Sequence, residues 1–426
     1  MTRNRWIALT ASIAALVVIV VLFAVNSLIF QGVSAPSLAS SGTSTSSTPS
    51  TTDSPLASAT PSSTSPSPSN PPATSPPPLS PAQQTLARLT LAQRVGQILM
   101  VSSPVGGPDG NTLAALNTMN VGNVFLKGRG YGGTQAVAAV VGQLNALVSP
   151  ATTGGVKQFI ATDQKGGLVQ IMNGPGFSKI PSAIDQAALG PFQIKADATI
   201  WGQQLAAAGV NVNFGPVLDT VPSAAFAPQN APIGYFGREY GFTPQDVSAR
   251  GVAAALGFAA GGVAPTVKYF PGLGRVSANT DVASNVTDET TVRQDAFLQP
   301  FRDPVASGVR WVMVSNAYYP AIDPQNIAPF SPVVMKEMLR GDLGFNGIIV
   351  SDDICDAVHL SPFAVANRGA NFIAAGGSMA LCTNQALLPA MYQGILARAT
   401  ADPVFAASVD AAALKVLEIK AESGLL

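Results

Sequence analysis

Histidine is almost missing from these 426 residues: His359 is the only one. With just two cysteines beside it, the chain lacks the nitrogen and sulfur ligands a zinc site needs, and neither a metal nor another cofactor is expected. Charge is scarce too, since Asp, Glu, Lys and Arg make up 11% of the chain against roughly 25% in an ordinary soluble domain. The 23 basic and 23 acidic residues balance to a net charge of zero. That argues against a nucleic-acid partner, because gripping a phosphate backbone takes a surplus of Lys and Arg to displace counterions.

What the chain has at its start is a long apolar run. Residues 6–30 are nearly uncharged, enough to cross a hydrocarbon core that takes roughly 20 helical residues. Arg3 and Arg5 precede the run, which keeps the N-terminus in the cytoplasm and sends the rest of the chain outside. Residues 1–33 therefore read as a single-pass membrane anchor. The other reading is a signal peptide cut near Val33-Ser34-Ala35, although such peptides have an apolar core of only about 7 to 15 residues. The first reading tethers the protein to the cell membrane, the second secretes it, and both make it extracytoplasmic. Residues 34–81 are almost wholly Ser, Thr, Pro and Ala, with Asp53 the single charge. Such a stretch buries too little apolar area to offset its ordering entropy and is expected to be a disordered linker, held extended by proline.

From residue 82 to 426 the pattern changes to short β-branched runs separated by Ala- and Leu-rich helical stretches. Eight strands are predicted: 96–102, 121–126, 158–162, 210–216, 264–269, 311–315, 347–351 and 378–382. Strict alternation of strand and helix means a parallel sheet, and eight units with none left over predict an α/β fold of the (β/α)8 TIM-barrel type. Asp163, Asn213, Asp219, Lys268, Asn316, Asp352, Asp353 and Asn384 fall at or just beyond strand ends, which in such a barrel is the catalytic face. Turn formation and helix capping account for part of that clustering without any chemistry. Asp353 is expected to cap the next helix and Asp352 is not.

Four stretches carry a resemblance: ATDQKGGLV (161–169); GVNVNFGPVLD (209–219) with PIG (232–234) and REYG (238–241) after it; KYFPGLG (268–274); and LGFNGIIVSDD (343–353). In order and spacing they resemble the β-N-acetylhexosaminidase branch of glycoside hydrolase family 3, across residues 89–426. The resemblance implies a retaining exo-glycosidase that removes terminal N-acetylglucosamine, with Asp352 as nucleophile. It also implies that Asp163, Arg238 and Lys268, together with Tyr269 and Asn213, bind the sugar. Such a mechanism needs an ionised carboxylate under the anomeric carbon and a proton donor about 5 Å away. Arg238 and Lys268 have a plainer reading as partners in ion pairs. Cell-wall fragments or other amino-sugar glycosides are the expected carbohydrate partners, and a monomer is the expected state.

The pattern departs from the branch in two places. The third stretch usually reads Lys-His-Phe-Pro-Gly-His-Gly, followed by an Asp-Ser-His loop that supplies the acid/base. Here Tyr269 and Leu273 replace the two histidines, and the loop reads Asn279-Thr280-Asp281. His359 lies beyond the nucleophile and is expected to pack rather than move protons. Asp281 falls where the acid/base stands and could serve if burial lifts its pKa; alternatively it is a turn residue. Lys165 and Leu168 stand where Glu and Arg are usual, which reverses the charge beside Asp163. Two functions remain open: a working glycosidase, or a relative that binds glycan without cutting it.

Cys355 and Cys382 end the seventh and eighth predicted strands. Neighbouring barrel strands lie about 4.8 Å apart, within the range a disulfide spans, and the compartment is oxidising. A bond between them is predicted, with two buried thiols as the alternative.

Overall fold

The computed structural model describes residues 78–426. The anchor expected at 1–33 and nearly all of the linker expected at 34–81 lie outside the described residues. The linker's predicted end needs a small correction. Pro81 is already the first residue of the helix Pro81–Arg88, because Ser80 caps it and Gln83 returns the hydrogen bond in a capping box.

Eight parallel strands close into a barrel: β1 (Leu99–Pro104), β2 (Asn123–Lys127), β3 (Phe159–Thr162), β4 (Val212–Asn213), β5 (Ala264–Phe270), β6 (Trp311–Val314), β7 (Ile348–Asp353) and β8 (Met379–Cys382). Each pairs with its neighbours in sequence, and β1 closes on β8 with Leu99 opposite Ala380. Helices such as Gly190–Ala207 and Pro244–Ala260 pack outside. Proline at the first turn and a threonine cap, Thr243 accepting from Asp246, start the second of these, as helix N-termini favour.

The strands fall where β-branched runs stand, with ends shifted for identifiable reasons. β1 starts at Leu99 rather than 96, because Gly96 and Gln97 finish a helix, Leu91–Gln97, that opens with a capping box at Thr90 and Gln93. β4 is only two residues long, since Pro216 has no N–H to continue a ladder. The chain still runs beside β5 as far as Val217, which bridges to Lys268. β7 reaches Asp353, which pairs with Leu381.

The barrel interior is packed rather than hollow. Phe159 of β3 and Trp311 of β6, which are not neighbours in the ring, meet edge to face at 4.8 Å between ring centres. At the lower end Lys420 is fully buried and donates to Gln97 Oε1 (2.8 Å) and the Gly122 carbonyl (3.1 Å), tying the last helix, Pro403–Glu422, to the segments that enter β1 and β2. Chemistry is therefore confined to the opposite, C-terminal end of the strands, as in other barrels of this shape. Among the described residues no helix is long and apolar enough to cross a membrane.

Candidate active site

A cavity of about 330 Å³ opens at the C-terminal ends of the strands. Asp163, Arg238, Lys268, Tyr269, Asp281 and Asp352 all line it, so six of the seven residues expected to act on the sugar share one site.

Asp352 sits in β7, directly after the buried Ser351, whose hydroxyl accepts from the Leu381 N–H and locks β7 to β8. Its Oδ1 accepts from the Asp353 N–H at 2.9 Å. Burial pushes the Asp352 carboxyl up to about 7; the charge of Asp281 adds to this, while Lys268 and the Asp353 N–H oppose it. Asp353 caps no helix: Ala357 precedes the short 3-10 turn Val358–Leu360, and the next α-helix starts only at Val365. Instead its Oδ1 accepts from the Cys355 and Thr383 N–H groups and its Oδ2 from the Thr383 hydroxyl. It closes the turn after β7 and fastens that turn to β8.

The disulfide Cys355–Cys382 spans the same two strand ends, with Cα atoms 5.0 Å apart. Thr383, next to Cys382, also accepts from Lys127 Nζ at 3.2 Å.

Across the mouth stands Asp163, immediately after β3. One of its oxygens, Oδ1, lies 2.9 Å from Lys165 Nζ and 3.1 Å from Lys268 Nζ. Burial by itself would raise this carboxyl, but the two ammonium groups outweigh it and hold Asp163 well below the ordinary carboxylate range. Lys165 is driven well below its usual value by burial and by the nearby charges of Lys268 and Arg238, against the pull of Asp163. Lys268 moves the other way: burial opposes its charge, but Asp163 and Asp352 more than compensate. The guanidinium of Arg238 lies over the Phe236 ring at 4.5 Å, a cation–π contact. Phe125 and Phe214 stack at 5.3 Å and form an apolar wall.

Tyr269 lines the cavity and is buried, which raises its phenol above the ordinary value. Leu273, in the other histidine position, is buried, and its N–H donates to Asp219 Oδ1. Asp219 therefore anchors the loop after β5, and burial pushes its carboxyl up to about 7. Gly274 in that loop has no room for a side chain, since a Cβ would overlap the Thr220 carbonyl.

Asp281 reaches the cavity from an Asx turn in which its N–H donates to Asn279 Oδ1. It is exposed and lacks the burial that an acid role asks of it. His359 lies elsewhere. It is buried, and its Nδ1 accepts from the Val286 N–H, bracing the far end of the same loop. Neighbouring backbone bonds, Val358 N–H to Asp281 O and His359 N–H to Thr280 O, complete the brace.

Asn213 is the one expected residue that does not line this cavity; it borders a smaller neighbouring one with Lys165 and Arg238. It is fully buried, with its Oδ1 accepting from the Gln164 N–H at 2.9 Å and its Nδ2 donating to the Gln164 carbonyl at 3.1 Å. Both ends of the amide are occupied. Its task is to hold the backbone that follows Asp163. Lys165, Phe125 and Phe214 are among the lining residues that the sequence did not point to. For Lys165 a signal was present in the charge reversal next to Asp163.

The model of the glycosyl hydrolase family 3 N-terminal domain matches residues 90–419. The chain belongs to glycosyl hydrolase family 3. A solved β-N-acetylhexosaminidase from Beutenbergia cavernae is 45% identical and superposes with a TM-score of 0.77, covering 78% of this chain and 99% of that one. The β-hexosaminidase of Thiobacillus denitrificans is 33% identical over 292 residues, 66% of this chain and 76% of that protein. That of Nitrosomonas eutropha is 31% identical over 275 residues, 62% and 74% of the respective chains. The family 3 barrel thus accounts for nearly all of the described residues, and the departures at Lys165, Tyr269, Leu273 and Asp281 sit in or beside its strand-end cavity.

Proposed function

We propose that this family 3 protein is a retaining exo-β-N-acetylhexosaminidase in which Asp352 is the nucleophile and Asp281 the acid/base. The observation that carries this reading is the pairing of Asp352 and Asp281 on one cavity, close enough that the charge of Asp281 raises the Asp352 carboxyl. In the first step a carboxylate oxygen of Asp352 bonds to C1 of the sugar. The C1–oxygen bond to the aglycone breaks, and that oxygen takes the proton of Asp281. In the second, Asp281 accepts a proton from water, the water oxygen bonds to C1, and the ester to Asp352 breaks. Burial favours the proton on Asp352, whereas catalysis needs it on the acid/base. A sugar laid over the mouth covers Asp281, while Lys268 stabilises ionised Asp352. Asp163, Lys268 and Arg238 grip the hydroxyls through charged hydrogen bonds.

One observation favours a second reading, a family member that binds amino-sugar glycan without cutting it: Asp281 is exposed. An aryl N-acetyl-β-glucosaminide with a good leaving group separates the two, because it needs little acid assistance. Turnover that disappears in Asp352→Asn, with a mechanism-based fluorosugar labelling Asp352 in the wild type, supports the hydrolase. No turnover at any pH leaves the binding protein.

Terminal N-acetylglucosamine, plain or substituted on its ring, on cell-wall fragments is the proposed natural substrate, and the proposed location is outside the cytoplasm. The apolar run at 6–30, the Ser/Thr/Pro-rich stretch behind it and the Cys355–Cys382 disulfide support that location.

A further inference from the structure

The cavity divides into two ends of opposite charge. Barrel strands β3 and β7 are four places apart in a ring of eight, so Asp163 and Asp352 stand on opposite sides of the mouth. Around Asp352 the wall carries three more acids, Asp281, Asp353 and Asp356, against Lys127, which donates to Thr383. Around Asp163 three cations converge, Lys165, Lys268 and Arg238, and that one carboxylate is their only acidic partner lining the cavity there. The other two acids of this quarter, Asp219 and Glu239, do not line the cavity, and burial pushes both up to about 7.

The cations are also short of hydrogen-bond acceptors. The side chains of Lys165 and Lys268 are 8% and 3% exposed, and each ammonium has Asp163 Oδ1 as its one contact with an acid among the described residues. Arg238 forms no ion pair among the described residues, and its buried Nε has no partner. An ammonium carries three donors and a guanidinium five, so this end of the cavity offers far more donors than one carboxylate can use. Leaving buried donors and charges unmatched is costly, and a neutral hydroxyl supplies acceptors but no counter-charge. An oxyanion supplies both.

We propose that the Asp163 end of the cavity receives an anionic group, a carboxylate or a sulfate ester, carried by the terminal sugar on the part of its ring away from C1. The proposal rests on the hexosaminidase reading, which sets C1 against Asp352. C4 of a pyranose lies across the ring from C1, so substituents at C3, C4 and C6 face Lys165, Lys268 and Arg238. Lys165 is the specificity-determining residue, because it adds the cation that unbalances the cluster. The depressed basicity of Lys165, caused by burial and by its cationic neighbours, is the state that an incoming anion relieves.

The test compares aryl β-glycosides with one leaving group and three sugars: N-acetylglucosamine, its 6-O-sulfate and its 3-O-lactyl ether. In the wild type one of the two anionic glycosides should exceed the neutral one in kcat/KM by at least about tenfold, as expected for an added charged hydrogen bond. Lys165→Gln should lower that ratio by a similar factor. Preference for the sulfate places the anion at C6, and preference for the lactyl ether places it at C3. A wild type that favours the neutral sugar over both anionic ones overturns the proposal, as does a ratio unmoved in a folded Lys165→Gln. Calorimetric binding of the three free sugars to Asp352→Asn keeps the two readings apart. If no glycoside is turned over, the hydrolase reading fails while the binding preference still decides this one; equal or weaker binding of the anionic sugars refutes it.

Discussion

Lys268 Nζ lies 3.1 Å from Asp163 Oδ1, and the same oxygen is shared with Lys165. β5 and β3 are thereby joined over the end of the intervening β4. Removing the carboxylate would leave two buried ammonium groups without their counter-charge, a loss of the kind that costs about 3 to 5 kcal/mol. Asp163→Asn is therefore expected to be destabilised by about 3 kcal/mol in chemical denaturation near pH 7. Asp163→Asn/Lys165→Gln should recover part of that loss, since it removes one of the crowded cations. The lowered carboxyl sets the sign of the pH dependence. Its contribution is complete above the unfolded value of 3.8 and fades below it, so wild type and Asp163→Asn should converge in strongly acid solution.

The Asp352–Asp281 pair sets a pH profile that depends on the leaving group. An aryl glycoside needs only ionised Asp352, so its kcat/KM should rise with pH through about 7 and then level off. A sugar aglycone needs a proton from the acid as well, so its kcat/KM should fall again at higher pH where the aryl profile stays level. Asp281 raises the Asp352 carboxyl. With the aryl substrate, Asp281→Asn should therefore move the rising limb to lower pH. A limb that stays in place would remove Asp281 from the electrostatics of the nucleophile.

The barrel was legible because its strands are apolar, β-branched and evenly interrupted, and because a closed parallel barrel leaves few other arrangements for eight such units. Strand ends were less legible where one stretch serves two purposes. Gly96 and Gln97 read as strand but finish a helix whose capping box, Thr90 and Gln93, was visible in the sequence. Asp163, Lys268 and Asp352 were legible as strand-end residues within matching motifs, and Arg238 through its motif alone. Asn213 was not, because an asparagine after a strand looks the same whether its amide faces a sugar or the Gln164 backbone. Asp353 misleads in the same way. Its partners, Thr383 and Cys355, come from a neighbouring strand end and from a turn that no α-helix directly follows. The excess of cations at Lys165 emerged only once three distant segments met around Asp163.

Cys355 and Cys382 enclose a loop with a sequence separation of 27, and the linked residues flank the Asp352 turn. Loop closure of this length typically stabilises a fold by about 2 to 4 kcal/mol. Cys355→Ala/Cys382→Ala is expected to melt several degrees below the wild type under oxidising conditions, and to match the fully reduced wild type. A double variant that melts with the oxidised wild type would show that the hydrogen bonds of Asp353 to Thr383 hold the two strand ends by themselves.

Asp352 should also be a stability liability, and its pH signature distinguishes that from ordinary loss of packing. Burial raises the folded-state carboxyl from 3.8 to about 7, so between those values the folded protein holds a proton that the unfolded chain has released. Stability falls with pH wherever the native state binds more protons. The penalty therefore starts near 4, grows to about 7 and is constant above. An asparagine side chain in place of Asp352 would carry no charge at any pH, and its amide nearly matches the carboxyl in size. Asp352→Asn should thus melt close to the wild type at about pH 4 and above it at about pH 8, with the gap opening between. Catalytic groups commonly trade stability for reactivity in this way. A variant less stable than wild type at the higher pH would mean that ionised Asp352 is a net stabilising partner of Lys268, and that the carboxylate is held for structure rather than for attack on C1.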